Sequence, residues 1–552
     1  MSMELQGMER NKLDFILTDL LPVELSNLFS FYEFYSYLST KRSHRVLQDI
    51  LATLKASRVK GDKVLFTNGW ASCPLRYKII KGTDSMRKMS VIHPYAALNI
   101  YFFIECYQKD ILNYFEKKHD FSLRYHQKNK QLYYKARSKN VTAYFQKQIK
   151  STGKSIIQQA GNYFYVGPYM SINAFTGSDQ WRTCNFNFRY YARTDFKACF
   201  DSIYTHAFSW IIEKNSLDSK DAKNSHLALV IDRLMQNING HISNGIVVGP
   251  EFSRMIAEIL LEHVDKEVKH SLLQDGIKTK RDYRIYRYVD DIFIFANETR
   301  SIDRILETYR EISEKYLLHL NELKLVKGTT PCLPKDWLQP TRQLSEMIGN
   351  YFYHGNHADF LKLDVAKQHV VGKNYIHIDT IKDGINVLMQ TYLNDRRTIV
   401  SYLLSTLLNN ISKKKTGYRL FKKDKGTKNE RKHNINSALL ILDMALYIYA
   451  YFPSFDQTQK VISIISYMDS EIKFRKKDDD EIYNQTLIEL NNKFNKYSFI
   501  FRNANLFDIC DWFPFFREYQ MTFNVETENA LLKKASELDD LNRSPSSRQS
   551  KK

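Results

Sequence analysis

The stretch Tyr286-Arg287-Tyr288-Val289-Asp290-Asp291-Ile292-Phe293-Ile294-Phe295 sets two adjacent carboxylates between two short apolar runs. The β-branched and aromatic residues on either side read as two strands of a hairpin, with Asp290 and Asp291 at or beside its turn. Neighbouring Asp side chains repel each other, so they suit such a turn where a cation neutralises them. A divalent ion does this. Mg²⁺ takes hard oxygen ligands, and phosphoryl transfer by two ions roughly 3.5–4 Å apart needs carboxylates that bridge or share them. The plain alternative is an exposed acidic turn, because short motifs recur by chance.

One hairpin does not surround two ions, and Asp195 supplies the next carboxylate. It ends the strand-like run from Asn187 to Thr194 and precedes Phe196, beyond which a helix is expected to begin. The backbone carbonyl of Phe196 offers a further oxygen. Taken singly, Asp195 equally fits an ordinary helix N-cap. Between the two acidic sites runs Asn244-Gly245-Ile246-Val247-Val248-Gly249-Pro250-Glu251-Phe252-Ser253-Arg254, followed by a helix with Ile256, Ile259 and Leu260 on its apolar face. Gly249 permits close backbone approach to a nucleotide or template, and Pro250 suits a first helical position. Acidic strand end, glycine loop with helix, then Asp-Asp hairpin is the order of motifs in a polymerase palm.

The elements around these motifs are legible in outline. The 552 residues suffice for two to four structural units, and 81 Lys and Arg against 61 Asp and Glu give a net charge of +20, which favours a polyanionic partner. Residues 1–59 read as an N-terminal helical segment, and Tyr95 to Ile104 as a buried helix. From Phe121 to Ser178 there is no Asp or Glu, while Lys128, Lys130, Lys135 and Arg137 alternate with rings that include Tyr133, Tyr134, Tyr163, Phe164 and Tyr165. Cations for phosphates and rings for bases make this a nucleic-acid face; a solvated basic insertion is the alternative. Ile302, Ile305, Leu306, Tyr309, Ile312 and Tyr316 mark an amphipathic helix. Beyond residue 375 helical patterns recur at about 378–394, 397–411, 436–452, 457–473 and 481–497, and residues 541–552 form a basic tail expected to be disordered. The six cysteines lack metal-ligand spacing, and no signal peptide or membrane-length apolar run is visible. A cytoplasmic protein without membrane attachment is the expectation.

The motifs resemble the abortive-infection, AbiK-like group of defence-associated bacterial reverse transcriptases. The resemblance rests on Asp195 followed by Tyr204-Thr205-His206 and Trp210, on Gly245, Gly249, Ser253 and Arg254, and on Arg287-Tyr288-Val289-Asp290-Asp291. It extends to Asn321-Glu322-Leu323-Lys324 and to Arg87-Lys88-Met89-Ser90-Val91-Ile92-His93-Pro94. It implies an α+β fold: fingers and palm over 60–345, with an antiparallel palm sheet and the basic insertion at 121–178, then an all-α, helical-repeat-like domain over 346–540. It implies that Asp195, Asp290 and Asp291, with the Phe196 carbonyl, hold two Mg²⁺ ions, with Mn²⁺ as substitute. Arg87, with Lys88 or Lys78, would clamp the triphosphate of a dNTP, and Phe200 would lie against the sugar and exclude a 2′-hydroxyl. Lys324 would approach the phosphates or donate a proton to pyrophosphate. Arg87 and Lys324 are equally compatible with solvated surface cations, and Phe200 with a core ring.

One departure narrows the reading. Templated enzymes of this kind carry Pro-Gln-Gly where this chain has Val247-Val248-Gly249, and Val248 has no hydrogen-bonding side chain. The resembling group shares this lack and is associated with template-independent synthesis and, in some members, with a tyrosine primer. The expected partners are dNTPs, nucleic acid as DNA product or as a non-coding RNA, and further copies of the chain. An RNA-templated reverse transcriptase of a retron or mobile element is the alternative in the same chemistry. A catalytically silent, RNA-binding or oligomerising scaffold is the alternative of another class.

Overall fold

The computed structural model describes residues 12–22, 31–65, 71–80, 86–117, 119–129, 162–211, 222–332, 335–352, 378–411, 428–474 and 507–509, with 484, 488–489, 491–492 and 495–497. Lys130, Tyr133, Tyr134, Lys135, Arg137 and the tail at 541–552 lie outside these residues.

The chain is an α+β protein whose sheets are small and antiparallel. Strand β1 (Leu75–Ile80) pairs with β2 (Met86–Val91), setting Lys78 opposite Lys88 and Ile79 opposite Arg87. Helix Pro94–Lys117 follows, opened by the proline whose fixed φ suits a first turn. Strands β3 (Arg124–Lys128) and β4 (Phe164–Pro168) pair across the base of the basic stretch. Helices Ile172–Thr176 and Asp179–Asn187 are each capped by a serine, Ser171 and Ser178, whose hydroxyls accept from Ala174 N and Trp181 N. The second of these helices takes in Asn187, so the strand expected from that residue starts later.

The palm sheet combines β5 (Tyr190–Asp195), β6 (Tyr283–Tyr288), β7 (Asp291–Ala296) and β8 (Val326–Thr329) in the order β6-β7-β5-β8. Period-two alternation divides it. Ile292, Ile294 and Ala296 join the main core, together with residues of helices Glu251–Gln274 and Thr299–Lys315. Phe293 and Phe295 instead join Tyr191, Phe175, Trp181 and Phe188 in an aromatic core on the other face. Asp195 and Asp291 share the alternation of Tyr191 and Phe293, so they stand at the end of this aromatic face.

The N-terminal helices Asp14–Thr18, Tyr32–Leu38 and Lys41–Lys60 bury Phe15, Leu38 and Ile50 in the same main core as the palm. Both ends of the 121–178 stretch are likewise built into the fold. Tyr163 and Phe164, expected as base-stacking rings, are buried and pack edge-on against Phe15 at 5.8 Å. Tyr165 is exposed. A second core gathers helices Leu338–Phe352, Ile378–Thr391, Arg396–Ile411, Lys428–Ala450 and Phe455–Phe474. The first of these runs across position 345–346 and buries Leu344 and Ile348 in that second core. One short strand, β9 (Phe507–Ile509), pairs with β1 from far along the sequence. Five described cysteines, Cys73, Cys106, Cys184, Cys199 and Cys332, are free thiols. Among the described residues no helix is long and apolar enough to cross a membrane.

The helix Glu251–Gln274 carries a buried carboxyl with a measurable consequence. Burial first, then the charges of Asp265 and Glu258, push Glu262 from the usual 4.5 up to about 9. The folded state therefore holds a proton that the unfolded chain releases. Its contribution to stability is fully present below pH 4.5 and is lost as the pH rises towards 9. Glu262→Gln is expected to flatten the fall in thermal midpoint between pH 6 and 9; an unchanged slope would show that Glu262 does not carry it.

Candidate active site

The hairpin that carries the two carboxylates is as tight as the sequence implies. β6 ends at Tyr288 and β7 begins at Asp291, leaving Val289 and Asp290 as a two-residue loop. Val289 takes φ +56°, a conformation that a β-branched residue adopts only under constraint and that glycine usually supplies in such loops. Asp290 thus sits in the tip of the hairpin. Asp291 lies directly opposite Asp195 in the β5–β7 register. The tip is also tied across, because Phe196 N donates to the Asp290 carbonyl at 3.3 Å.

Cations meet two of the three carboxylates. Lys324 Nζ pairs with Asp195 Oδ2, and Arg193 Nη2 pairs with Asp291 Oδ1 at 2.8 Å. The segment carrying Lys324 is docked by Asn321, whose N donates to the Asp195 carbonyl at 2.8 Å. Asp195 Oδ1 is buried with no hydrogen-bond partner. Burial, then the Asp291 and Asp195 charges, hold the Asp290 pKa above the usual carboxylate range. Buried like charges and an orphaned oxygen are the situation a divalent cation relieves, and all the donors are hard oxygens. Among the described residues no three His, Cys, Asp or Glu side chains already converge as a metal cage.

The glycine loop packs closely against two other segments. Gly249 is buried at φ +130°, and a Cβ there would stand 2.6 Å from Pro22 Cγ and 3.2 Å from the Ser90 carbonyl. It thus permits the close approach of the N-terminal segment and the fingers strand. Ser90 N also donates to the Val248 carbonyl at 2.8 Å, which fastens the fingers to this loop. Pro250 sits just before the helix, as its N-cap residue. Phe200 is half-buried against the main core. Arg87 and Lys88 are exposed on β2, and Lys128 is exposed at the end of β3.

Asp195 and Asp291 on directly paired strands, met by a lysine and an arginine, with Asp290 next to them in the hairpin tip, form an arrangement suited to phosphoryl transfer. Residues 126–348 match the reverse transcriptase (RNA-dependent DNA polymerase) family. The chain therefore carries a reverse transcriptase domain, a nucleotidyltransferase unit of the RNA-directed DNA polymerase type. The match takes in Asp195, Phe200, Gly249, Asp290, Asp291 and Lys324; Arg87 and Lys88 precede it. Solved structures similar to the chain include apo telomerase of Candida tropicalis truncated from its C-terminal domain, at 13% identity and TM-score 0.26, covering 47% of this chain and 51% of that one. The apo telomerase of the same organism is 12% identical, with TM-score 0.28, over 81% of this chain and 69% of that one. Telomerase of Candida albicans in complex with a fragment of telomeric RNA is 11% identical, with TM-score 0.26, over 75% and 64%. The chain thus spans about half the length of the first of these telomerases. No curated protein sequence matches it.

Within the reverse transcriptase domain, the residue that sequence reasoning passed over is Arg193. Its signal was present: it stands two residues before Asp195 and so shares its face of the strand.

Proposed function

We propose that the chain is a Mg²⁺-dependent DNA polymerase of antiphage, abortive-infection defence, adding dNTPs with little or no conventional templating and primed by a tyrosine hydroxyl. The observation that carries the reading is the gathering of Asp195, Asp290 and Asp291 at one strand end, with Asp195 Oδ1 buried and unpartnered. Asp195 and Asp290, with the Phe196 carbonyl and Asp291 in support, would hold the ions. Two Mg²⁺, or Mn²⁺ in their place, would supply polarisation of the attacking hydroxyl and neutralisation of the leaving pyrophosphate. Lys324 Nζ, which pairs with Asp195 Oδ2, would donate a proton to pyrophosphate. Arg193 orients Asp291 through their ion pair. Arg87 and Lys88 on the fingers meet the triphosphate. Lys128, with Lys130, Tyr133, Tyr134, Lys135 and Arg137 beyond it in sequence, meets nucleic acid.

The weak templating is supported by Val248, whose backbone is occupied by Ser90 and whose side chain packs on the core. The defence role, tyrosine priming, self-association and cytoplasmic bacterial setting are supported by the motif resemblance. Each labelled dNTP, incubated with protein and Mg²⁺ with and without an annealed RNA template, tests the reading on denaturing gels before and after protease. Protease-sensitive, template-independent product supports it. Faithful copying of the RNA supports the retron-type alternative, and absence of product in every arm contradicts both.

Phe200 is the sugar-discriminating ring in this reading. Phe200→Ala is expected to raise ribonucleotide use relative to deoxynucleotide by about 10-fold or more, in competition assays. An unchanged ratio would leave Phe200 a core ring.

A further inference from the structure

Among the described residues Arg287 is the largest fully buried side chain, and its guanidinium is held from three sides. Nη1 and Nη2 meet both oxygens of Glu258 at 3.0 and 2.6 Å, and Nε meets Asp265 Oδ2 at 2.7 Å. Tyr309 Oη donates to the remaining Asp265 oxygen at 2.9 Å. Glu258 and Asp265 stand seven residues apart on one face of helix Glu251–Gln274. The remaining contact is different in kind. Nη1 also donates to the carbonyl of Val289 at 3.0 Å, the residue held at φ +56° in the hairpin tip.

A buried ion network of this sort adds little net stability over apolar packing, so its value lies in what it specifies. Here it joins the long helix of the palm to one strained peptide, and the next residue is Asp290. We infer that Arg287 is a positioning residue: it clamps the Val289 carbonyl, fixes the strained turn, and thereby sets Asp290 in the hairpin tip beside the paired Asp195 and Asp291. The inference rests on the reading of Asp290 as a metal ligand. Lysine retains the charge but has no planar fork with which to bridge Glu258, Asp265 and Val289 together.

The test uses Mn²⁺ binding by electron paramagnetic resonance beside steady-state dNTP incorporation, for full-length wild type, Asp290→Asn, Arg287→Lys and Arg287→Lys with Val289→Gly. All are assayed below their measured melting temperatures. If Arg287→Lys does not fold, Glu258→Gln takes its place. Loss of about 10- to 100-fold in kcat and in Mn²⁺ affinity is expected for Arg287→Lys, with KM for dNTP within about threefold. The glycine, free to take positive φ, is expected to restore at least about fivefold. A folded variant with unchanged kcat and Mn²⁺ affinity, a loss confined to KM, or no rescue by glycine overturns the inference. Asp290-dependent Mn²⁺ binding without any product sinks the polymerase reading while still testing the clamp; absence of that binding contradicts both.

Discussion

Asp290→Asn is expected to lower nucleotide incorporation by roughly 10³-fold, about 4 kcal/mol of transition-state stabilisation, while leaving the fold intact. Asn is nearly isosteric and removes a charge that burial, Asp291 and Asp195 all disfavour. The folded pKa of Asp290 is raised, so the folded state binds a proton that the unfolded chain gives up. Its stability contribution is therefore present below the usual carboxylate range and is lost as the pH rises through the folded pKa. At neutral pH the Asn variant is accordingly expected to melt no lower than wild type. Asp291→Asn gives the contrast. Its charge is already answered by Arg193 at 2.8 Å, so the expected loss of rate is smaller, about 10- to 100-fold. Equal losses for the two variants would contradict the division of roles between tip and strand.

Gly249→Ala is expected to cost about 3 kcal/mol of stability, read as a lowered thermal midpoint and denaturant midpoint. Two causes act together: φ +130° is a conformation that side chains rarely take, and the new Cβ would meet Pro22 at 2.6 Å and the Ser90 carbonyl at 3.2 Å. Both neighbours belong to parts that must stay docked, the entry segment and the fingers strand. Activity should fall with stability. Had Gly249 served the approach of a nucleotide, Ala would raise KM for dNTP and leave the melt unchanged, and that outcome would favour the sequence-based expectation over the packing seen here.

That contrast shows where the sequence was readable. The Asp290-Asp291 hairpin and the helix Thr299–Lys315 were legible because their signals are local: period two on either side of the turn, and period 3.6 through Ile302, Ile305 and Tyr309. Asp195 at a strand end was legible for the same reason. What the residues do not write locally is pairing at long range. The placement of Asp195 opposite Asp291, and of Lys324 on Asp195, depends on a sheet order that brings β5 between β7 and β8. The packing of Pro22 against Gly249 was not legible because the two lie more than two hundred residues apart. Tyr163 and Phe164 were misjudged because a ring set among lysines has the same composition whether it faces a base or the core. Glu258 and Asp265 carry no local sequence signal, and only burial reveals them with Arg287 as one network.

The central claim is that the carboxylates at the ends of β5 and β7 perform Mg²⁺-dependent nucleotide addition. Incorporation of a labelled dNTP by wild type and Asp195→Asn, matched in melting temperature and titrated with Mg²⁺, tests it most directly. The account predicts Mg²⁺-dependent product for wild type, abolished by chelation, and none above background for Asp195→Asn at any Mg²⁺ concentration. Equal product from both proteins, or wild-type product that persists after chelation, would contradict it.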